Sequence, residues 1–229
     1  MVLNQNSLYK KNNIFFWIFD LDNTIYRSNL KLFPQVQEKI GLFVANYLNL
    51  DINEAQKIQK KFFEKYKSTL RGLMYEFKMK PDDFLDFVHD IDYSILKNDD
   101  EFNVILNQLD GEKYIYTNGS TKHAQNVLEY MNISKHFSGI FDIKDADFEP
   151  KPDMESMKSF INKFSIKPKN ALMAEDMSIN LEPAHKLGIK PLLINTEYSW
   201  NKEKKIDYVD FQSNDLQIWL KDFIKNKFD

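Results

Sequence analysis

The segment Ile14-Phe15-Phe16-Trp17-Ile18-Phe19 runs straight into Asp20-Leu21-Asp22. Six apolar residues with no polar alternation cannot lie on the surface of a sheet wetted on one side. They require a strand covered on both faces, the environment of a central strand in a parallel sheet. Four further segments repeat this pattern: YIYTNG (114–119), GIFDI (139–143), ALMAED (171–176) and PLLINT (191–196). Each is short, and each ends in a polar residue where a strand would give way to a loop.

Helical patterns separate these strands. Ser120 to Met131 places Ala124, Val127, Leu128 and Met131 on one face. Pro152 to Phe164 does the same with Met154, Met157, Phe160, Ile161 and Phe164. A third helix, from about Ile179, should stop at Gly188, where a left-handed residue closes the last turn. Strands alternating with helices imply right-handed parallel crossovers and therefore an α/β, doubly wound parallel sheet.

One stretch breaks the alternation. Between Phe33 and Leu109 no strand-like run occurs, whereas amphipathic patterns cover Val36 to Leu48, Glu54 to Tyr66, Phe84 to Ile91 and Phe102 to Leu109. The expected organisation is a core formed by 1–32 and 110–229, with an inserted all-helical cap at 33–109. Within the insertion, residues 57–80 hold eight Lys/Arg against two acids, and 81–101 hold eight acids against one Lys. Solvated helix faces account for both runs; a cap surface that steers an anion would account for the basic one.

Composition removes several classes of function. The sequence contains no cysteine, which excludes disulfide scaffolds, thiolate metal centres and a cysteine nucleophile. With 31 Lys+Arg against 34 Asp+Glu, no global positive field exists to attract a nucleic acid polymer or an anionic membrane. The opening MVLNQNSLYKKNN lacks the apolar core of a signal peptide, so a cytoplasmic protein is expected.

Ligands of open α/β sheets bind outside the carboxyl ends of the strands. Those ends carry Asp20, Asp22 and Thr24, then Thr117, Asn118, Gly119 and Ser120, and later Glu175 and Asp176. Lys151 sits between Pro150 and Pro152, which fix the backbone on either side of its ammonium. Carboxylates gathered in one crevice repel one another unless a cation sits among them. Without cysteine or paired histidines, a hard dication such as Mg²⁺ is the natural choice. A lysine, a threonine hydroxyl and amides at a helix N-terminus complete a site for a phosphoryl dianion, with one Asp as nucleophile and another as acid and base. Singly, each motif has an ordinary structural explanation as a turn, a helix cap or a surface lysine. His89, His123, His136 and His185 show no ligand spacing and are expected to be structural or surface residues.

In this order the motifs resemble the haloacid dehalogenase superfamily, specifically its phosphatases with a helical cap after the first strand: FDLDNT (19–24), TN (117–118), KPD (151–153) and EDMSIN (175–180). The resemblance implies that Asp20 attacks phosphorus and that Asp22 protonates the leaving oxygen and then activates water. Thr117, Asn118, Gly119 and Lys151 would hold the phosphoryl group. Mg²⁺ would be held by Asp20, the backbone carbonyl of Asp22, Asp176 and Glu175. Dehalogenases of the superfamily lack the second Asp and the metal, so dehalogenation is disfavoured. DLDNTIYRSN (20–29), YKSTLRGLMYEF (66–77) and KHAQNVLEYMNISKHFSGIFDI (122–143) look like the pyrimidine 5′-nucleotidase branch. That likeness implies a small phosphomonoester substrate such as a uridine or cytidine monophosphate, with Arg71 and Tyr66 as cap contacts. The branch usually carries Asp-Asp-Ser where this chain has Glu175-Asp176-Met177, and Glu-Asp also occurs in sugar phosphomutases. A mutase, a phospho-accepting signalling domain and an inactive binding relative are the competing expectations.

Overall fold

The computed structural model describes residues 14–198 and 206–228. The opening segment judged to lack a signal peptide lies outside them. Six strands form one all-parallel sheet: β1 (Phe16–Phe19), β2 (Glu112–Tyr116), β3 (Gly139–Phe141), β4 (Ala171–Glu175), β5 (Lys190–Ile194) and β6 (Phe211–Ser213). Their order is β3-β2-β1-β4-β5-β6. The chain thus builds outward in opposite directions from the β1/β4 pair, which makes the carboxyl end of β1 the topological switch point.

The uninterrupted apolar runs are explained by two covered faces. Trp17, Phe19, Ile115, Leu172 and Leu192 point into one cluster, while Phe16, Ile18, Tyr114, Met173 and Leu193 point into the other. The first is covered by α5 (Asp100–Gln108), α6 (Thr121–Tyr130) and α9 (Leu216–Phe228); the second by α7 (Met154–Lys163) and α8 (Ser178–Lys186). Each fully buried large side chain contributes about 1.5–3 kcal/mol, and Trp17, Phe19 and Phe160 are all at most 1% exposed. As expected, α8 is followed by Gly188 at φ +87°, whose amide donates to the His185 carbonyl. Gly111 (φ +92°) opens β2 where a Cβ would stand 2.1 Å from the Phe15 carbonyl oxygen.

The insertion contains α1 (Leu32–Leu48), α2 (Ile52–Tyr66), α3 (Thr69–Phe77) and α4 (Pro81–Val88). These four bury their own cluster around Val44, Ala55, Phe62, Leu73 and Phe84, which meets the core at Ile143. The remainder of the 33–109 stretch behaves differently from the sequence expectation. Tyr93, Leu96, Phe102, Ile105 and Leu106 pack into the sheet cluster with Trp17 and Phe19, so the cap's own packing ends near Val88. Three elements among the described residues have no counterpart in the sequence expectations: α3, β6 and α9. No helix among the described residues is long and apolar enough to cross a membrane.

Candidate active site

The carboxyl ends of β1, β2 and β4 and the loop before α7 converge on one buried ammonium. Lys151 Nζ donates to Asp20 Oδ1 at 2.6 Å, to Glu175 Oε2 at 2.7 Å and to the Tyr116 carbonyl at 2.9 Å. Those three bonds use the ammonium's whole donor capacity. Asn118 aims the lysine: its Oδ1 accepts from the Lys151 backbone amide at 2.8 Å, and its Nδ2 donates to the Lys151 carbonyl at 3.4 Å. Thr117 Oγ1 accepts from the Gly119 amide at 2.9 Å, folding the turn that leads into α6.

Asp20, Glu175 and Asp176 are all buried, and each offers a carboxylate oxygen within 4.8 Å of the others. Burial and the neighbouring Glu175 charge push the Asp20 carboxyl up to about 7, although Lys151 opposes the shift. Burial alone would lower the pKa of Lys151, but the charges of Asp20 and Glu175 outweigh it and raise that pKa well above the ordinary range. One ammonium therefore faces three carboxylates, a donor set with room for a further hard cation. Within it Glu175 is largely committed to the protein, since Oε1 accepts from Asn180 Nδ2 at 2.9 Å and from the Met177 amide at 3.3 Å.

Asp22 is set apart from that cluster. Its Oδ1 accepts from Tyr26 Oη at 2.5 Å and meets His123 Nε2 at 2.9 Å. Burial pushes its carboxyl up, but the charge and hydrogen bond of His123, with Tyr26, outweigh burial and hold it below the usual range. His89 lies beside it: its ring stacks on that of His123 with centroids 4.4 Å apart, and burial first, then the His123 charge, lowers its pKa to about 3. The sequence expectation makes both histidines structural or surface residues; long-range folding brings His123 to Asp22, with His89 stacked on it.

A cavity of about 360 Å³ lies between this cluster and the cap. Asp20, Asp22, Thr117, Lys151 and Asp176 form its floor. The roof is largely apolar, with Phe33, Val36, Ile40, Phe63 and Leu70, and Gln37, Gln56, Gln59 and Lys60 also line it. Arg71 and Tyr66, expected as cap contacts, are not part of this wall. Arg71 Nη2 pairs with Glu149 at 2.5 Å, tying α3 to the loop that carries Lys151, and the Tyr66 hydroxyl donates to Glu76. Of the basic run, Lys60 and Lys67 line the cavity instead.

Residues 17–194 match the model of the haloacid dehalogenase-like hydrolases. Phosphate metabolism protein 8 of Saccharomyces cerevisiae is 25% identical over 231 residues, 91% of this chain and 70% of that protein. Among solved structures, a β-phosphoglucomutase from Clostridium difficile superposes with a TM-score of 0.62 at 17% identity, covering 94% of this chain and 97% of the other. A HAD phosphatase from Thermococcus onnurineus gives 0.60 at 16% identity, covering 91% and 97%. The matched region runs from β1 through β5 and so includes every strand end that forms the crevice: the chain belongs to the haloacid dehalogenase-like hydrolase family.

Proposed function

We propose that the protein is a Mg²⁺-dependent phosphomonoester hydrolase that works through an aspartyl-phosphate on Asp20, and that its substrates are small monophosphates of the pyrimidine nucleoside 5′-monophosphate kind. The observation that carries this reading is the buried Lys151 ammonium, held against Asp20 at the switch point with Asp22 two residues further on. A carboxylate oxygen of Asp20 attacks phosphorus while the ester oxygen departs with a proton from Asp22. Water then attacks phosphorus, giving its proton back to Asp22 and releasing phosphate with Asp20 regenerated. Asp22 is ionised in the free chain, and the arrival of a dianion beside it raises its proton affinity in time for the first step. A phosphoryl oxygen that displaces one of the three acceptors of Lys151 is held by its ammonium, beside the Thr117 turn. Asp20, Asp176 and the Asp22 carbonyl, with Glu175, would hold the dication, which neutralises charge on the transferring group.

The roof favours a flat, weakly polar leaving group. Its apolar walls suit a ring, and three carboxamides offer both donors and acceptors to a heteroaromatic edge. The yeast relative's name and the phosphatase among the structural neighbours are in keeping with this chemistry. The test is a panel of nucleotide and sugar monophosphates assayed for free phosphate with Mg²⁺. Uridine and cytidine monophosphates are expected to lead; equal turnover of all members would remove the nucleotide assignment. A product that remains a phosphomonoester, with no phosphate released, would establish a mutase instead.

Metal binding should be coupled to Asp20. Because that carboxyl is raised to about 7, Mg²⁺ must displace its proton at lower pH. Apparent affinity is expected to rise about tenfold per pH unit up to about pH 7 and to level off above it. Calorimetry in buffers of different ionisation heat should show close to one proton released near about pH 6 and none near about pH 8. Equal proton release at both would contradict the assignment.

A further inference from the structure

We propose that His123 is a positioning residue for Asp22: together with Tyr26 it pins one oxygen of that carboxylate so that the other faces the leaving oxygen of the substrate. The inference rests on the phosphomonoesterase reading above and adds to it a part of the machinery drawn from a different element.

A carboxylate on a short stem rotates easily, since the last torsion of Asp is broad and roughly two-fold. Asp22 lines the cavity with its side chain 18% exposed, so packing alone does not fix that torsion. Two donors do: Tyr26 Oη at 2.5 Å and His123 Nε2 at 2.9 Å both meet Oδ1. Among the described residues the second oxygen has no hydrogen-bond partner, and Asp22 lines the cavity.

His123 is itself fixed from several directions. It is 0% exposed. Its Nδ1 meets Tyr93 Oη at 2.8 Å, and that hydroxyl also lies 3.0 Å from the His89 carbonyl. With the Tyr93 proton on Nδ1, the ring's own proton sits on Nε2 and is donated to Asp22. Its backbone amide donates to Ser120 Oγ at 3.2 Å, placing it in the first turn of α6, and the same Oγ meets His89 Nδ1 at 3.0 Å. The His89 ring covers one of its faces at an interplanar angle of 9°. With both nitrogens engaged, the ring cannot turn without leaving a buried polar atom unpaired. The fold has no need of an imidazole at this point: its α6 neighbours Ala124, Val127 and Leu128 are apolar and sit in the sheet cluster. A wholly buried polar ring is costly unless satisfied, and here one of its two partners is the acid that must be aimed.

The test uses leaving groups that differ in their need for a proton. p-Nitrophenyl phosphate departs as a stabilised phenolate, whereas an alkyl monophosphate such as a nucleoside 5′-monophosphate must be protonated as it leaves. kcat/KM reports the step in which the ester bond breaks. His123→Phe keeps a buried ring and removes the hydrogen bond; it is expected to lower kcat/KM about 100-fold for the alkyl ester and only severalfold for the aryl ester. His123→Asn, which restores a donor, should narrow that gap, and Tyr26→Phe, which leaves α6 untouched, should reproduce it. Equal losses on both esters in His123→Phe and Tyr26→Phe would overturn the assignment and mark both residues as structural. If the Phe variant fails to fold, as judged by circular dichroism, the ratio in Tyr26→Phe and His123→Asn decides in the same sense. Wild-type protein that releases no phosphate from either ester would instead remove the phosphomonoesterase reading itself.

Discussion

Asp20→Asn is expected to lower the rate of phosphate release by about four orders of magnitude or more, because an amide cannot attack phosphorus to give the acyl phosphate on which turnover depends. The substitution keeps the shape of the side chain and an oxygen that still accepts from Lys151, which now sits 2.6 Å from Asp20 Oδ1. The fold should therefore survive, and stability should respond in the direction opposite to that of ordinary carboxylates. Asp20 is raised from 3.8 to about 7 by burial and by Glu175. Between those values the folded, metal-free chain binds a proton that the unfolded chain has lost. Stability from this group is thus fully present at low pH and is lost as pH rises through about 7. The Asn variant lacks that loss. In chelator its urea midpoint should equal or exceed that of wild type near neutral pH, and the advantage should shrink toward about pH 4. Residual turnover within tenfold of wild type would exclude Asp20 as the nucleophile.

How much of this was legible in the sequence follows from the range of the interactions. Strands β1 to β5 announce themselves because their runs are apolar, and their polar ends identify the crevice. β6 carries no such mark, since Phe211–Ser213 is short and none of its residues is fully buried. α3 is obscured by Gly72, a poor helix residue placed where a Cβ would stand 2.4 Å from Phe62 Cγ. The packing of α2 against α3 demands the glycine, and that demand is tertiary. Helical periodicity likewise reveals that Phe102, Ile105 and Leu106 share a face but not what the face meets, so the sequence pattern groups α5 with the cap although it packs on the sheet.

The site shows the same division. Asp20, Asp22, Thr117, Lys151, Glu175 and Asp176 could be found because each terminates a strand or stands between prolines. His123 could have been suspected from its place one turn after the Thr-Asn-Gly segment, where the start of α6 points back at the strand ends. His89 offered no local signal, because its stacking on His123 depends on how α4 closes over α6. Arg71 was a reasonable candidate by charge alone. Its helix face turns it to Glu149, and sequence patterning does not specify such a rotation without the partner.

Lys151→Met is expected to abolish turnover and also to destabilise the metal-free protein by about 3–5 kcal/mol, the cost of removing one member of a buried, hydrogen-bonded charge set. Met retains most of the stem, so the loss is electrostatic and not a cavity. Asp20 and Glu175, at 2.6 and 2.7 Å from the ammonium, would face each other and Asp176 with no cation among them. Two routes relieve that repulsion, and they make the prediction specific. Protonation relieves it, so the gap between variant and wild type should narrow as the pH is lowered toward about 5. A dication relieves it too, so millimolar Mg²⁺ should raise the urea midpoint of the variant more than that of wild type, by the mass-action term for a ligand that binds only the folded state. Activity should not return with stability, because the lysine also holds the phosphoryl oxygens. A variant as stable as wild type in chelator would mean that the three carboxylates do not bear the charge assigned to them. Destabilisation that neither acid nor Mg²⁺ relieves would mean that Lys151 acts through packing alone.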